Sequence, residues 1–531
     1  MDRERPATNA SGVRLAELVA ALSLATDLGL GQPMEHVLRS CLIALRLGER
    51  MDLDDDERAV LYYVALLAWV GCMADSHELA RSFGDDIAFR ADTYDVDLAG
   101  LPAFTFMLRH AGATGSPVER TRRVTSLVAT GGRSIVASMM AHCQATGAIA
   151  ERLGLGPDVR TPLQHNFARW DGKGLPAGVG GDDVALPMRV VHVAEIVEVF
   201  HRRDGTQAAV EVARERSGKQ FDPTIVDEFC RVAHEVLGSL DPDTNWHALI
   251  EAEPALRPLL AEDELDRALE AVADFADLKS PYLSGHSRGV ADLVAEAGRG
   301  AGLPDVEVVT LRRAALVHDL GRAGVPNSIW DKPRTLTDLE WERVRLHPYY
   351  TERMLARPAS LNRLGAIAAL HHERLDGSGY HRGLPAASLT PAARILAAAD
   401  VYHAIAEPRP HRPGRSAEEA AVEVRAEVKA GRLDIEAVEV VLGAAGHRVR
   451  RRRTHPGGLT AREVEVLIHL ARGASNRDIA RALHISQKTV GNHIEHIFTK
   501  LGVSTRTSAA LFAMQHGLLD ILETLPETLE R

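Results

Sequence analysis

Ala315-Leu-Val-His-Asp-Leu-Gly-Arg-Ala-Gly-Val-Pro326 runs apolar as far as Val317 and then breaks into His318 and Asp319. An apolar helix ending in an imidazole beside a carboxylate offers two kinds of metal ligand from one rigid backbone, and the carboxylate has two oxygens with which to bridge two ions. Isolated His-Asp pairs also occur as hydrogen-bonded helix ends. The surroundings decide between these readings. His286 lies upstream in Ser284-Gly-His-Ser-Arg288 and His347 downstream in Arg345-Leu-His-Pro348. His371 and His372 follow in Leu370-His-His-Glu-Arg-Leu-Asp-Gly-Ser-Gly-Tyr380, and Asp400 closes Ala397-Ala-Ala-Asp400. Together they supply imidazole and carboxylate ligands for a pair of transition ions, with Asp319 shared between them.

These motifs resemble the HD-GYP family of metal-dependent cyclic-di-GMP phosphodiesterases over about Leu265 to Gly446. The resemblance implies a helical bundle holding two divalent transition-metal ions, iron or manganese. His286, His318, Asp319 and Asp400 would surround one ion, and Asp319, His347, His371 and His372 the other. Two cations lower the pKa of a shared water enough for attack on phosphorus near neutral pH. Some members add a third ion through an acidic residue one helical turn before the first His; Tyr282 stands there, which makes this site dinuclear. Asp319 and Arg322 are then the catalytic candidates, and Arg322, Tyr380, Arg409 and Arg412 the candidates for holding a cyclic dinucleotide. The sequence departs from the family twice. Arg322 replaces a Lys, keeping the charge but changing the reach, and the name-giving Gly-Tyr-Pro is Gly379-Tyr380-His381.

The chain has 531 residues, room for about three domains, and its 45% hydrophobic and 25% charged residues suit a globular protein with a sizeable core. No apolar run reaches membrane-spanning length and no leader is evident, so a cytoplasmic protein without membrane contact is expected. Cys41, Cys72, Cys143 and Cys230 lack paired spacing, as buried reduced thiols do. A net charge of −11 is no nucleic-acid signature, so any DNA-binding surface must be local. Ala, Leu, Glu and Arg recur at helical spacing and strand signals are sparse, which predicts an all-α chain. Loops are expected at Gly112 to Pro117, Gly172 to Asp183, Pro254 to Pro258, Pro408 to Gly414 and Arg448 to Gly458.

His165-Asn-Phe-Ala-Arg-Trp-Asp-Gly-Lys-Gly174 echoes His371-His-Glu-Arg-Leu-Asp-Gly-Ser-Gly379, and both Asp171 to Glu195 and Asp376 to Asp400 span 24 positions. Ala208-Ala-Val-Glu-Val212 matches Ala420-Ala-Val-Glu-Val424. The domain therefore occurs twice. The first copy keeps His36 and His142, but this spacing puts Trp69 and Val70 at the His-Asp positions, Asn166 and Phe167 at the His-His positions and Glu195 at that of Asp400. Trp, Val and Phe ligate no metal, so the first copy is expected to be metal-free.

After the run Arg448 to Arg453, the stretches Leu459-Thr-Ala-Arg-Glu-Val-Glu-Val-Leu467, Ala471 to Ala480, Leu483-His-Ile-Ser-Gln-Lys-Thr-Val490 and Lys500-Leu-Gly-Val503 resemble the LuxR-type helix-turn-helix. Thr460 with Glu463 forms a capping box, Ser475 and Ser486 are N-caps, and Gly473 and Gly502 end helices. The resemblance implies that the helix from about Gln487 to Leu501 enters the major groove of double-stranded DNA with Lys488, Thr489, Asn492, His493 and His496 facing bases. Lys500 and Arg506 either reach phosphates or hold the helix in place. The expected architecture is a degenerate HD-like domain (1–250), an HD-GYP-like domain (260–446), an Arg-rich linker (447–456) and a four-helix LuxR-type domain (457–531). The expected function is a homodimeric transcriptional regulator that also hydrolyses cyclic-di-GMP. The alternatives are a non-catalytic nucleotide and metal sensor, or a hydrolase of another nucleotide.

Overall fold

The computed structural model describes residues 12–112, 117–130, 133–238, 240, 245–254, 259–446 and 456–520. Among them there is no β-strand; isolated bridges join Ser217 with Phe221 and Arg409 with Arg412. The expected arginine run at 448–453 lies outside the described residues. Among those described, no single helix is long and apolar enough to cross a membrane. Cys41, Cys72 and Cys143 are buried free thiols, as their scatter implied.

The two copies repeat each other in backbone detail. Helices His36–Arg50 and His286–Gly300 each start immediately after a residue in the left-handed region, Glu35 at φ 75° and Gly285 at φ 81°. Asp27 accepts from the Val37 amide and Asp277 from the Ser287 amide, both at 2.9 Å, which pins the start of each helix. Gly71 and Gly321 open equivalent tight turns: a methyl on Gly71 would stand 2.2 Å from the His142 carbonyl oxygen, and one on Gly321 2.0 Å from that of His347. Asp27 and Asp277, His36 and His286, Ala68 and His318, and Gly71 and Gly321 are thus each 250 positions apart. This corrects the pairing read from spacing by one residue. Ala68 stands for His318 and Trp69 for Asp319, while Val70 matches Leu320.

From His142 and His347 onward the offset is 205, and it keeps Asn166 with His371, Phe167 with His372 and Glu195 with Asp400. The first copy is thus 45 residues longer between Gly71 and His142, a lengthening not foreseen from the sequence. This stretch carries helices Ser76–Phe83, Asp86–Thr93, Gly100–His110 and Pro117–Thr130.

Aromatic rings fill the centre of the first copy. Trp69, His142 and Phe167 pack edge to face at 4.9–5.7 Å. Tyr94, from the lengthened stretch, donates to Glu195 at 2.7 Å. Burial pushes the Glu195 carboxyl up to about 8, against its hydrogen bond with Tyr94. Folding therefore binds a proton here that the unfolded chain has released above its own pKa of roughly 4.5. The stabilisation is complete below that value and is lost as pH rises through about 8. Glu195→Gln should accordingly raise Tm at pH 8 by on the order of 5 °C and change it little at pH 5. Thermal melts at the two pH values check this; equal shifts at both would argue that Glu195 is ionised in the fold.

The C-terminal module consists of helices Ala461–Ala471, Asn476–Ala482, Gln487–Leu501 and Arg506–Gln515. Its caps are those its sequence promises. Thr460 accepts from the Glu463 amide while the Glu463 carboxylate accepts from the Thr460 amide at 2.7 Å. Ser475 and Ser486 accept from the Asp478 and Thr489 amides, and Gly473 and Gly502 take φ of +79° and +66°. The module packs against both HD copies. Thr507 donates to Glu78 at 3.1 Å, Ser508 to Gln144 at 2.9 Å and Ser284 to the Ala471 carbonyl at 2.8 Å.

Candidate functional site

Five elements deliver the acidic and imidazole groups of the second copy to one buried point. His286 opens its helix, His318 and Asp319 form the corner after helix Asp305–Val317, and His347 opens helix His347–Leu355. His371 and His372 follow helix Asn362–Ala368, and Asp400 lies within helix Pro391–Ala406. Thr351 joins two of these elements, accepting from the Gly321 amide at 2.9 Å and donating to the His318 carbonyl at 3.0 Å. His286, His318, Asp319, His347, His371 and Asp400 are all buried. The sequence-predicted set is thus brought together completely.

Asp319 sits between two groups. Its Oδ2 lies 3.1 Å from His318 Nε2 and 3.5 Å from His286 Nε2, and its Oδ1 lies 3.4 Å from His371 Nε2 and 3.5 Å from His347 Nε2. Asp400 approaches His286 at 3.2 Å through Oδ1 and His372 at 3.7 Å through Oδ2. His286, His318 and Asp400, and likewise His347, His371 and His372, offer ligand atoms within 4.8 Å of one another.

Tautomers are fixed from behind. The Nδ1 atoms of His318, His347 and His371 contact the carbonyls of Ala315, Val344 and Ala368 at 2.6–2.7 Å, which leaves each Nε2 facing the centre. His286 is oriented instead by Glu407, whose Oε2 is 2.9 Å from its Nδ1. Sequence reading missed Glu407 and also Glu373, a buried carboxylate that accepts from the Arg382 and Leu384 amides at 2.8 Å and braces the loop carrying Tyr380. An acidic residue following His-His in apolar surroundings was the available signal, since a buried charge needs partners.

The electrostatics fit cations. Both Asp319 oxygens and His318 Nε2 are buried without a well-formed hydrogen bond. Burial keeps His347 down at about 3 and lowers His371 and His372, so these rings are neutral, as metal ligation requires. Burial would lower His318 as well, yet Asp319 and Asp400 push it up to about 10; burial alone would raise Asp319, yet Arg322 and His318 hold it well below the usual carboxylate range. The two carboxylates demand positive charge, and a pair of divalent ions would meet that demand.

The predicted substrate residues fall in different places. Arg322 is buried, with Nη2 2.7 Å from Asp319 Oδ2, its guanidinium 5.0 Å from the Trp330 ring centre, and Nε and Nη1 unpartnered. The Tyr380 ring lies 4.6 Å from that of His372, at the rim of the site. Arg409 is engaged by the Glu407 carboxylate at 2.9 Å and the Tyr282 carbonyl at 3.5 Å. Arg412 donates to the carbonyls of Ala404, Ile405, Glu407 and Pro413, so in this structure it braces its own loop.

Residues 270–437 match the HD domain family model, and residues 458–513 that of the bacterial regulatory proteins of the luxR family. The chain is 30% identical over 402 residues to the 3'3'-cGAMP-specific phosphodiesterase 3 of Vibrio cholerae, covering 75% of this chain and 87% of that protein. The chain belongs to the HD-GYP-type phosphodiesterases. A cyclic di-GMP phosphodiesterase of Pseudomonas aeruginosa is 41% identical over 140 residues, 26% of this chain and 34% of that one. The crystal structure of a cyclic GMP-AMP-specific phosphodiesterase of V. cholerae superposes with a TM-score of 0.57 at 26% identity, covering 82% of this chain and 98% of that one.

This HD-GYP-type phosphodiesterase carries a LuxR-type DNA-binding domain whose reading helix is accessible. Lys488, Thr489, Asn492 and His496 are exposed and His493 is half-buried. Lys500 donates to Glu463 at 2.7 Å, while Arg506 contacts the Ala474 carbonyl at 2.8 Å and the Asn476 side chain. Of their two expected roles, both thus make contacts that hold the helices together. The domain is seated on the segment that leads into His286. A methyl on Gly473 would meet Pro281 at 3.3 Å and Tyr282 at 3.6 Å, and one on Gly285 would meet Leu519 at 2.9 Å.

Proposed function

We propose that this protein is a metal-dependent phosphodiesterase of cyclic dinucleotides and a DNA-binding regulator in which occupancy of the HD site sets operator affinity. The observation that carries the hydrolytic reading is the split of Asp319 between two histidine groups, Oδ2 towards His286 and His318, Oδ1 towards His347 and His371. His286, His318, Asp319 and Asp400 would hold one divalent ion and Asp319, His347, His371 and His372 a second, iron or manganese by ligand type. Such a pair supplies a nucleophile from water at neutral pH and Lewis-acid stabilisation of the phosphorus oxygens. The chain's own contribution is orientation and charge. Backbone carbonyls and Glu407 fix the imidazole tautomers, and the two unpartnered nitrogens of Arg322 suit a non-bridging phosphate oxygen. Tyr380 offers a ring at the rim on which a base can stack.

Both 3'3'-cGAMP and cyclic di-GMP fit this chemistry. The first is favoured because similarity to the cGAMP-specific enzyme runs through both HD copies, whereas the Pseudomonas relative matches 140 residues. Operator recognition through paired half-sites calls for a homodimer, and a DNA partner is consistent with a cytoplasmic chain. A second reading, a nucleotide sensor without turnover, is favoured by the Arg322 guanidinium resting on Asp319, where it competes with a cation. Elemental analysis of the intact chain with turnover assays on both dinucleotides separates the two. About two transition ions per chain and hydrolysis are expected; a protein that binds dinucleotide, lacks metal and is inert would establish the sensor.

A further inference from the structure

We propose that the lengthened segment between Gly71 and His142 of the degenerate first copy is a positioning device for the Arg322 guanidinium of the second. The inference rests on the reading above, in which Arg322 meets a substrate phosphate. Helix Asn327–Trp330 follows the Arg322 turn directly, and its last residue lies beneath the guanidinium. Trp330 also lies 5.6 Å from the His347 ring, and its indole N–H reaches back to the Arg322 carbonyl at 3.4 Å. Whatever fixes this short helix fixes the face on which Arg322 rests.

This segment fixes it at both ends. Asp86 is wholly buried; its Oδ1 accepts from the Asn327 amide at 2.6 Å and its Oδ2 from Lys279 at 2.8 Å, while Arg90 stands 3.2 Å away. At the other end Asp331 accepts from the Asn327 side chain at 2.6 Å, from Ser280 at 2.5 Å and from His77 at 2.7 Å. A four-residue helix has too few internal hydrogen bonds to hold itself, so these side-chain contacts determine its orientation. The buried Lys279 with Asp86 makes the grip stiff, because removing either partner strands a charge in the interior. Two groups of the grip, Asp86 and His77, come from the first copy, in the stretch that is 45 residues longer there than in the second. The degenerate copy, having lost its ligands, supplies the outer shell of the intact one.

A merely structural interface would make the same contacts, so the test reads the Trp330 environment and the Arg322 dependence separately. Asp86 and Lys279 are unsuitable, since their loss threatens the fold. His77 and Asp331 lie towards the surface, and His77→Ala and Asp331→Asn keep the core intact. In the full chain labelled with 5-fluorotryptophan, the five tryptophans give five resonances, with that of Trp330 identified by its loss in Trp330→Phe. Each variant is expected to move the Trp330 resonance and leave the other four in place. KM for 3'3'-cGAMP is expected to rise about tenfold with metal content unchanged, and the increase to vanish when Arg322→Ala is already present. A Trp330 resonance that stays put, or a KM effect that adds fully to that of Arg322→Ala, would overturn the proposal. Should the wild type hydrolyse no cyclic dinucleotide, the functional reading fails on its own, and the fluorine spectrum still decides the positioning.

Discussion

Asp319→Ala is expected to reduce phosphodiester hydrolysis by on the order of 1,000-fold or more while operator affinity stays within about twofold of wild type. Replacing one outer partner of a ligand typically costs about 10- to 100-fold, and Asp319 is an inner ligand common to both halves of the site. No other side chain presents one oxygen to His286 and His318 and the other to His347 and His371. Its loss also frees Arg322 from its ion pair. Helix Gln487–Leu501 takes no part in this arrangement, and its residues Lys488, Thr489, Asn492 and His496 are exposed without it. Turnover with 3'3'-cGAMP, elemental analysis and an operator titration on one preparation check all three arms. Retained turnover would show that hydrolysis does not pass through Asp319.

The dinucleotide itself is expected to change operator affinity by about 5- to 150-fold, and Arg409→Ala to remove that change without removing binding. The structure provides a route. Pro281 and Tyr282 lie against Gly473, Gly285 lies against Leu519, and Ser284 donates to the Ala471 carbonyl, so the DNA-binding domain rests on residues that end in His286. Arg409 ties this seat to the site by contacting the Tyr282 carbonyl and the Glu407 carboxylate, which orients His286. A ligand that binds the seated and released arrangements unequally must shift the balance between them, and DNA must reciprocally change the affinity for the ligand. Titrations at one fixed salt concentration, with and without dinucleotide, measure the effect. Superimposable curves would mean that the two activities are independent.

The sequence by itself determined the all-α class, the tandem HD copies, the LuxR-type module with its caps, and the whole set His286, His318, Asp319, His347, His371, His372 and Asp400. These are legible because each depends on residue type at fixed local spacing. An imidazole is a candidate ligand wherever it lies, and Thr460 with Glu463 or Gly at a left-handed position acts within one turn of chain. Even so, spacing alone misplaced the first copy's pairing by one residue, because Trp69 was matched to His318 without the Gly71 and Gly321 turns that set the frame.

Only the tertiary structure decided how Asp319 divides its oxygens, that Glu407 and Glu373 support the site, that Arg412 braces its own loop, and that the DNA-binding domain sits against the entry to His286. It also gave the degenerate copy a place in the molecule, with Tyr94 filling its own centre while Asp86 and His77 reach across to Asn327 and Asp331. These contacts join residues up to 254 positions apart. They arise from which buried charges find partners once the bundles pack, and a linear pattern does not encode that pairing, because any of several acidic residues would satisfy the same local rule.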